Sequence, residues 1–257
     1  MSGQPLKVWL EEEDTLLRLR LATPKGNIID IAMVEAIEAA LAEHTGRDDL
    51  MAVLLDHEGP HFGFGASIPE HLPGVVDELV SKLHRMIKAM LTCPVPILTI
   101  VKGQCLGGSL EVVIAGNLIF AGKDAVFGQP EVRLGTCAPV GSCILPERIP
   151  RAMAEDLLLS GRSVGADEAL AMGLANRVDE DPEVVALNYF REHFAHLSAT
   201  GLRFAIGIQR RAFVARVSEE LDRAEETYLK GLMKTPDPVE GLKAFMEKRK
   251  PVWQNNK

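Results

Sequence analysis

The chain has 257 residues, 47% of them apolar and 25% charged. That balance belongs to a globular protein with a sizeable core and excludes disordered and fibrous classes. The 28 Lys and Arg stand against 36 Asp and Glu, a net charge of −8, which argues against a broad nucleic-acid platform, since phosphate contacts need a basic face.

The opening stretch, MSGQPLKVWLEEED, lacks a basic start followed by an apolar core, so no secretory signal is expected. The longest apolar stretch, residues 105–121, is broken by Glu111 and Asn117. A membrane span needs about 20 mostly apolar residues, so none is expected. Cys93, Cys105, Cys137 and Cys143 form no C-x-x-C pair and read as reduced thiols of a cytoplasmic protein.

In chain order, residues 7–10 and 15–22 read as strands. The second alternates Leu17, Leu19 and Leu21 with Arg18 and Arg20, the pattern of a strand with one wet face. Thr23-Pro24-Lys25-Gly26 is a turn. Residues 31–44 follow as a helix with Val34, Ile37 and Leu41 at helical spacing, and residues 51–55 as a buried strand. Residues 57–73, rich in Gly, Pro and His, read as loop. Val76, Leu79, Val80, Leu83, Met86, Ile87 and Met90 make an amphipathic helical stripe. Pro94 stops it, and residues 95–101 and 118–121 are the next strands. The alternation predicts an α/β protein with largely parallel strands and right-handed crossovers. Beyond Arg151 the patterns turn helical: residues 151–160, 166–172, 183–197, 202–217, 219–233 and 239–248. We therefore expect an α/β core over residues 1–198 and a helical region over residues 199–257.

Three segments can carry chemistry. In Lys102-Gly-Gln-Cys-Leu-Gly-Gly-Ser-Leu-Glu111, Gly107 and Gly108 fall at a helix N-terminus, where unpaired N–H groups favour partial negative charge. Tight helix packing is the plainer reading of the two glycines. Glu111 follows on the first turn among Leu110, Val112, Val113 and Ile114. A carboxylate there is costly to bury without a partner, unless it turns outward or caps its own helix. In Ala125-Val-Phe-Gly-Gln-Pro-Glu131, a short strand ends in a Pro-fixed turn that presents a second carboxylate, which taken alone reads as an exposed turn residue. Two carboxylates converging on one water suit acid–base chemistry. Phe62-Gly-Phe-Gly-Ala66-Ser-Ile follows a strand at its carboxyl end, where α/β ligands bind, or is simply a surface loop. Phosphate-loop, zinc-protease and nucleophile-elbow motifs are absent from the sequence. The His57/His61 and His193/His196 pairs have no acidic or thiolate set nearby in sequence to complete a metal site, so no metal is expected. Cys105 has no evident His partner and reads as core packing.

Together these segments resemble the crotonase, or enoyl-CoA hydratase/isomerase, superfamily over nearly the whole chain. Leu159-Ser-Gly-Arg and Gly241-Leu-Lys-Ala-Phe-Met-Glu-Lys-Arg continue the likeness. The resemblance implies a spiral of ββα units with a C-terminal helical oligomerisation region, in a homotrimer or a dimer of trimers. It implies that the N–H groups of Ala66 and Gly108 form an oxyanion hole for a thioester oxygen. Glu111 and Glu131 match the paired hydratase glutamates, which hold water, take its proton and return one to carbon. It further implies an acyl-CoA substrate and no cofactor beyond the CoA that the substrate carries. Some proteins of this fold bind RNA, a role that the net charge of −8 and the lack of a basic, aromatic-laced segment weigh against.

Two departures set the chain apart from general members. Ser67, before Ile68, stands where Asp is common. The segment Cys137-Ala138-Pro139-Val140-Gly-Ser-Cys143 replaces a glycine-rich run that lines the acyl pocket, so the pocket should differ from one for a linear enoyl chain. In these features the chain is similar to members that hydrate a ring-diene thioester, with Ser67, Ile68, Cys137, Ala138, Pro139 and Val140 as pocket residues. For CoA, the resemblance points to Lys25, Ile28 and Phe64, and to Lys248 and Arg249 on the last helix, for which plain surface charge is the alternative.

Overall fold

The computed structural model describes residues 4–24 and 26–255; Lys25 lies outside them. The chain runs through β1 (Leu6–Glu11), β2 (Leu16–Leu21), α1 (Ile31–His44), β3 (Ala52–His57), α2 (Val76–Leu91), β4 (Ile97–Val101), β5 (Gln104–Leu106) and α3 (Gly108–Ala115). It continues through β6 (Leu118–Gly122), β7 (Val126–Gly128), α4 (Pro139–Arg148), α5 (Arg151–Ser160), β8 (Ser163–Gly165) and α6 (Ala166–Ala171). Last come β9 (Arg177–Asp179), α7 (Pro182–His193), α8 (Ala199–Glu226) and α9 (Pro236–Met246). No helix among the described residues is long and apolar enough to cross a membrane.

Two sheets organise the core. The larger has the order β1-β2-β3-β4-β6-β9, antiparallel only between β1 and β2. The smaller pairs β5 with β7 in parallel and β7 with β8 antiparallel. Isolated parallel bridges, Ile29 to Ala66 and Gly63 to Cys105, extend this second layer. Each turn of the chain thus lays a strand in the first sheet, a short extended piece in the second, and then a helix. This is the spiral of ββα units that the resemblance implies.

The inner strands β3 and β4 of the first sheet are buried at every position, as sandwiched parallel strands are, while the edge strands β1 and β9 keep exposed positions. One face packs on α1, α2 and α3; the other meets Ala186 and Phe190 of α7. This corrects the reading of β2 as half wet. Arg18 is 1% exposed, beneath α7, where Asp56, Glu183 and Glu11 accept its hydrogen bonds. A buried guanidinium is tolerable there because carboxylates surround it.

Local chemistry sets the helix ends. Asp30 caps α1 by accepting from the Met33 N–H at 2.8 Å, and Asp181 and Ser198 cap α7 and α8 in the same way. The two helices expected over residues 202–217 and 219–233 are one 28-residue helix, α8, followed by a π turn at Thr227–Gly231. No Gly or Pro interrupts the chain around Ser218, and serine alone does not end a helix. Helix α4 was not expected. Its sequence signal is Pro139 at the first helical position.

Helix α4 and α8 each send an arginine to the far end of α3. Arg148 Nη1 donates to the carbonyls of Ile114 and Gly116 at 3.1 and 2.7 Å. Arg210 Nη2 donates to the Ala115 carbonyl at 3.1 Å. These are orphan carbonyls of a helix C-terminus, where positive charge is favourable. Burial pushes Arg148 down to about 10, with Arg210 adding repulsion.

Candidate active site

The second sheet delivers two backbone amides to one place. Ile29 N–H donates to the Gly65 carbonyl, and Ser67 N–H to the Ile29 carbonyl. Ala66 N–H therefore points to the opposite edge of its strand, toward α3. Gly107 caps that helix with φ 51°, a conformation that favours glycine. Gly108 opens the first turn, so its N–H has no intrahelical acceptor. Among the described residues, neither the Ala66 nor the Gly108 N–H donates to the protein. Both remain for a ligand oxygen at a helix N-terminus.

Glu111 lies on the same first turn and is 4% exposed. Its Oε1 accepts from the Gly141 N–H, at the start of α4, at 2.8 Å. Glu131 sits on a 3-10 turn, Pro130–Leu134, closed by Thr136 donating to the Glu131 carbonyl. Its Oε1 rests against Gly107, 2.7 Å from where a Cβ would be. The Gln129 carboxamide, turned to face Glu131 with its nitrogen, donates to both carboxylate oxygens at 3.0 Å. Burial raises Glu111 above the ordinary carboxylate range, with the Gly141 and Val140 amides opposing. Burial raises Glu131 too, and the charge of Glu111 adds to it. Two like charges in one buried site resist joint ionisation, so the pair tends to hold a proton between them.

Both glutamates open onto a cavity of about 80 Å³, as do Ala66, Gly108, Ile68, Cys137, Ala138 and Pro139. Ser67 and Val140 do not line it. The Ser67 backbone is taken by Ile29 and by His71 Nδ1, 2.8 Å from its carbonyl. Val140 follows Pro139 by one helical step, which rotates it into the main core. Burial, then Glu111 and Glu131, push the Cys137 thiol up to about 11, so it stays neutral. Phe64 lines this cavity and also a groove of about 490 Å³ beside Thr23, Pro24, Gly26 and His61. Ile28, Lys248 and Arg249 line neither. Arg249 is engaged by Glu240 and Glu247.

The cavity also holds His71, His84 and Tyr228, which the sequence reading passed over. His84 had a signal: it follows Val80 by four residues and so shares the buried stripe of α2. Of the histidines with metal-like spacing, the first pair is spent on backbone. His57 Nε2 accepts from the Lys102 N–H at 3.1 Å and His61 Nδ1 from the Gln104 N–H at 3.2 Å. Among the described residues, no three metal-binding side chains gather.

Two free amides at a helix N-terminus, beside two buried carboxyls of raised proton affinity, can stabilise an enolate while adding or removing water. Known proteins agree. The family described as enoyl-CoA hydratase/isomerase matches residues 11–256. A cyclohexa-1,5-dienecarbonyl-CoA hydratase of Thauera aromatica is 54% identical, covering 99% of this chain and 98% of that one. A probable enoyl-CoA hydratase of Rhodobacter capsulatus is 32% identical, over 88% of each chain. The crystal structure of an enoyl-CoA hydratase/isomerase from Pseudoalteromonas atlantica superposes with a TM-score of 0.84 at 27% identity, covering 97% of this chain and 99% of that one. The chain belongs to the enoyl-CoA hydratase/isomerase family and is an enzyme of the hydratase type.

Proposed function

We propose that the protein adds water to cyclohexa-1,5-diene-1-carbonyl-CoA, giving 6-hydroxycyclohex-1-ene-1-carbonyl-CoA in anaerobic benzoyl-CoA degradation. The full-length likeness to the Thauera aromatica hydratase carries this reading. The paired glutamates on one cavity support it chemically.

Water attacks the ring carbon β to the thioester and gives its proton to the carboxylate of the Glu111–Glu131 pair. The π electrons move onto the thioester oxygen, where the Ala66 and Gly108 amides receive the charge. They return through the ring as a dienolate, which takes a proton from the pair at its far end. One water is consumed, one C–O and one C–H bond form, and the remaining double bond shifts. No redox step occurs, so the reaction needs no cofactor beyond the CoA of the substrate. In this reading the groove beside Phe64 takes the rest of the CoA, a reading its size supports.

The same reading makes the enzyme a cytoplasmic homotrimer or dimer of trimers. Phe204 and Ile208, 69% and 66% exposed four residues apart on α8, offer an apolar strip for such contacts; mass measurement in solution tests this. For the reaction, purified protein is offered cyclic and acyclic enoyl-CoA esters and the products are identified by mass and NMR. Ring-diene hydration should outrun crotonyl-CoA hydration by far. A preference for crotonyl-CoA, or for cyclohex-1-ene-1-carbonyl-CoA, would replace the substrate named here.

A further inference from the structure

Tyr228 lies in the π turn after α8 and is only 2% exposed. It forms part of the cavity wall with Glu111 and Glu131. Single π turns interrupt helices mostly at functional sites, and this one carries the aromatic ring to the reacting groups. Buried tyrosine hydroxyls ordinarily find a hydrogen-bond partner. Among the described residues, none of the side-chain hydrogen bonds, from Lys7 Nζ at the start of the chain to Asn255 N–H at its end, involves the Tyr228 hydroxyl. Tyr228 also borders an outer groove with Glu147 and Arg223, but the carboxylates that act on its hydroxyl are Glu111 and Glu131, on the side of the inner cavity.

The acyl ring is a hydrocarbon, and its thioester oxygen is met by Ala66 and Gly108. Within the cavity the one remaining polar species is the reacting water, which becomes the product hydroxyl. We propose that the Tyr228 hydroxyl is a third hydrogen-bond partner of this water, beside Glu111 and Glu131, and then of the product alcohol. The inference rests on the ring-hydration reading above. Burial, with Cys137, Glu111 and Glu131 adding to it, raises the phenol well above its ordinary range. Tyr228 thus keeps its proton throughout, and all net proton transfer stays with the two carboxyls.

The experiment is Tyr228→Phe, which removes one oxygen and keeps the ring. The proposal expects kcat for the diene to fall about tenfold with KM unchanged, as for loss of one hydrogen bond to a reacting atom. It expects the hydroxylated product to bind about five- to tenfold more weakly. Saturated cyclohexanecarbonyl-CoA, which lacks the hydroxyl, should bind as to the wild type. Thermal stability should be unchanged or higher, because no internal hydrogen bond is lost. Equal weakening of both esters, weakening of neither, or a lowered melting temperature would overturn the role. Failure of the wild type itself to hydrate the ring diene would instead overturn the substrate reading, so the two failures are distinct.

Discussion

A Cβ at Gly108 would stand 3.0 Å from both the nitrogen and the Cβ of Ala66. The two free amides, which we propose receive the thioester oxygen, are therefore spaced by the absence of a side chain. Gly108→Ala forces them apart or fills the place of the oxygen. We expect kcat to fall about 100-fold, the scale of one lost oxyanion donor. Circular dichroism should be unchanged. Wild-type turnover in that variant would remove Gly108 from the site.

Glu111→Gln and Glu131→Gln keep shape and remove acid–base capacity. Each should lower kcat between about 100- and 10,000-fold. Binding of a saturated CoA ester should stay within a few-fold of wild type. Steady-state kinetics with calorimetric binding separates the two effects.

The raised carboxyls also fix a sign for stability. Their native values exceed the unfolded ones, so the native state binds the extra protons. Their contribution is fully present below the ordinary carboxylate value of about 4.3 and is lost as pH rises through the raised native values. Urea unfolding across that window should show wild-type stability declining with pH. The Glu111→Gln/Glu131→Gln double variant should show a flatter curve. Parallel curves would mean that the pair is not perturbed.

Gly141 touches both acids at once. Its N–H holds Glu111, and a Cβ there would meet the oxygen side of the Gln129 carboxamide at 2.8 Å, whose nitrogen holds Glu131. Gly141→Ala should displace Gln129 and lower kcat about tenfold, the scale of one disturbed hydrogen bond. Gln129→Ala should reproduce most of that loss, and the double variant should add little.

Arg148→Met leaves the Ile114 and Gly116 carbonyls without their charged donor. Stability should drop by about 2–4 kcal/mol in denaturant titration. KM for the CoA ester should change little.

The sequence carried much of this site because its chemistry is written in local anomalies. Glu111 stands out as a carboxylate among apolar neighbours, and Gly107-Gly108 as a pair before an apolar helix. Tyr228 carries no such mark. It is one tyrosine in a polar helical stretch, and only the π turn and the fold around α9 bring it to the cavity. Arg18 was misread for a related reason. Its alternation with leucines is the ordinary mark of a wet face, and the helix that covers it comes from residues 182–193, far along the chain. Val140 was assigned to the pocket because α4 went unseen; once the segment is helical, neighbouring residues face different ways.

Helix α3 is only eight residues long, yet its ends do opposite jobs. The N-terminal end leaves donors free, in the proposed reaction for the substrate oxygen, and the C-terminal end is gripped by Arg148 and Arg210. A short helix in water can tip or fray at either end. Here the rear is bolted to α4 and α8, so electron density arriving at the front pushes against a fixed strut. In the proposed reaction, the grip on the thioester is thus supplied partly by residues that never approach it.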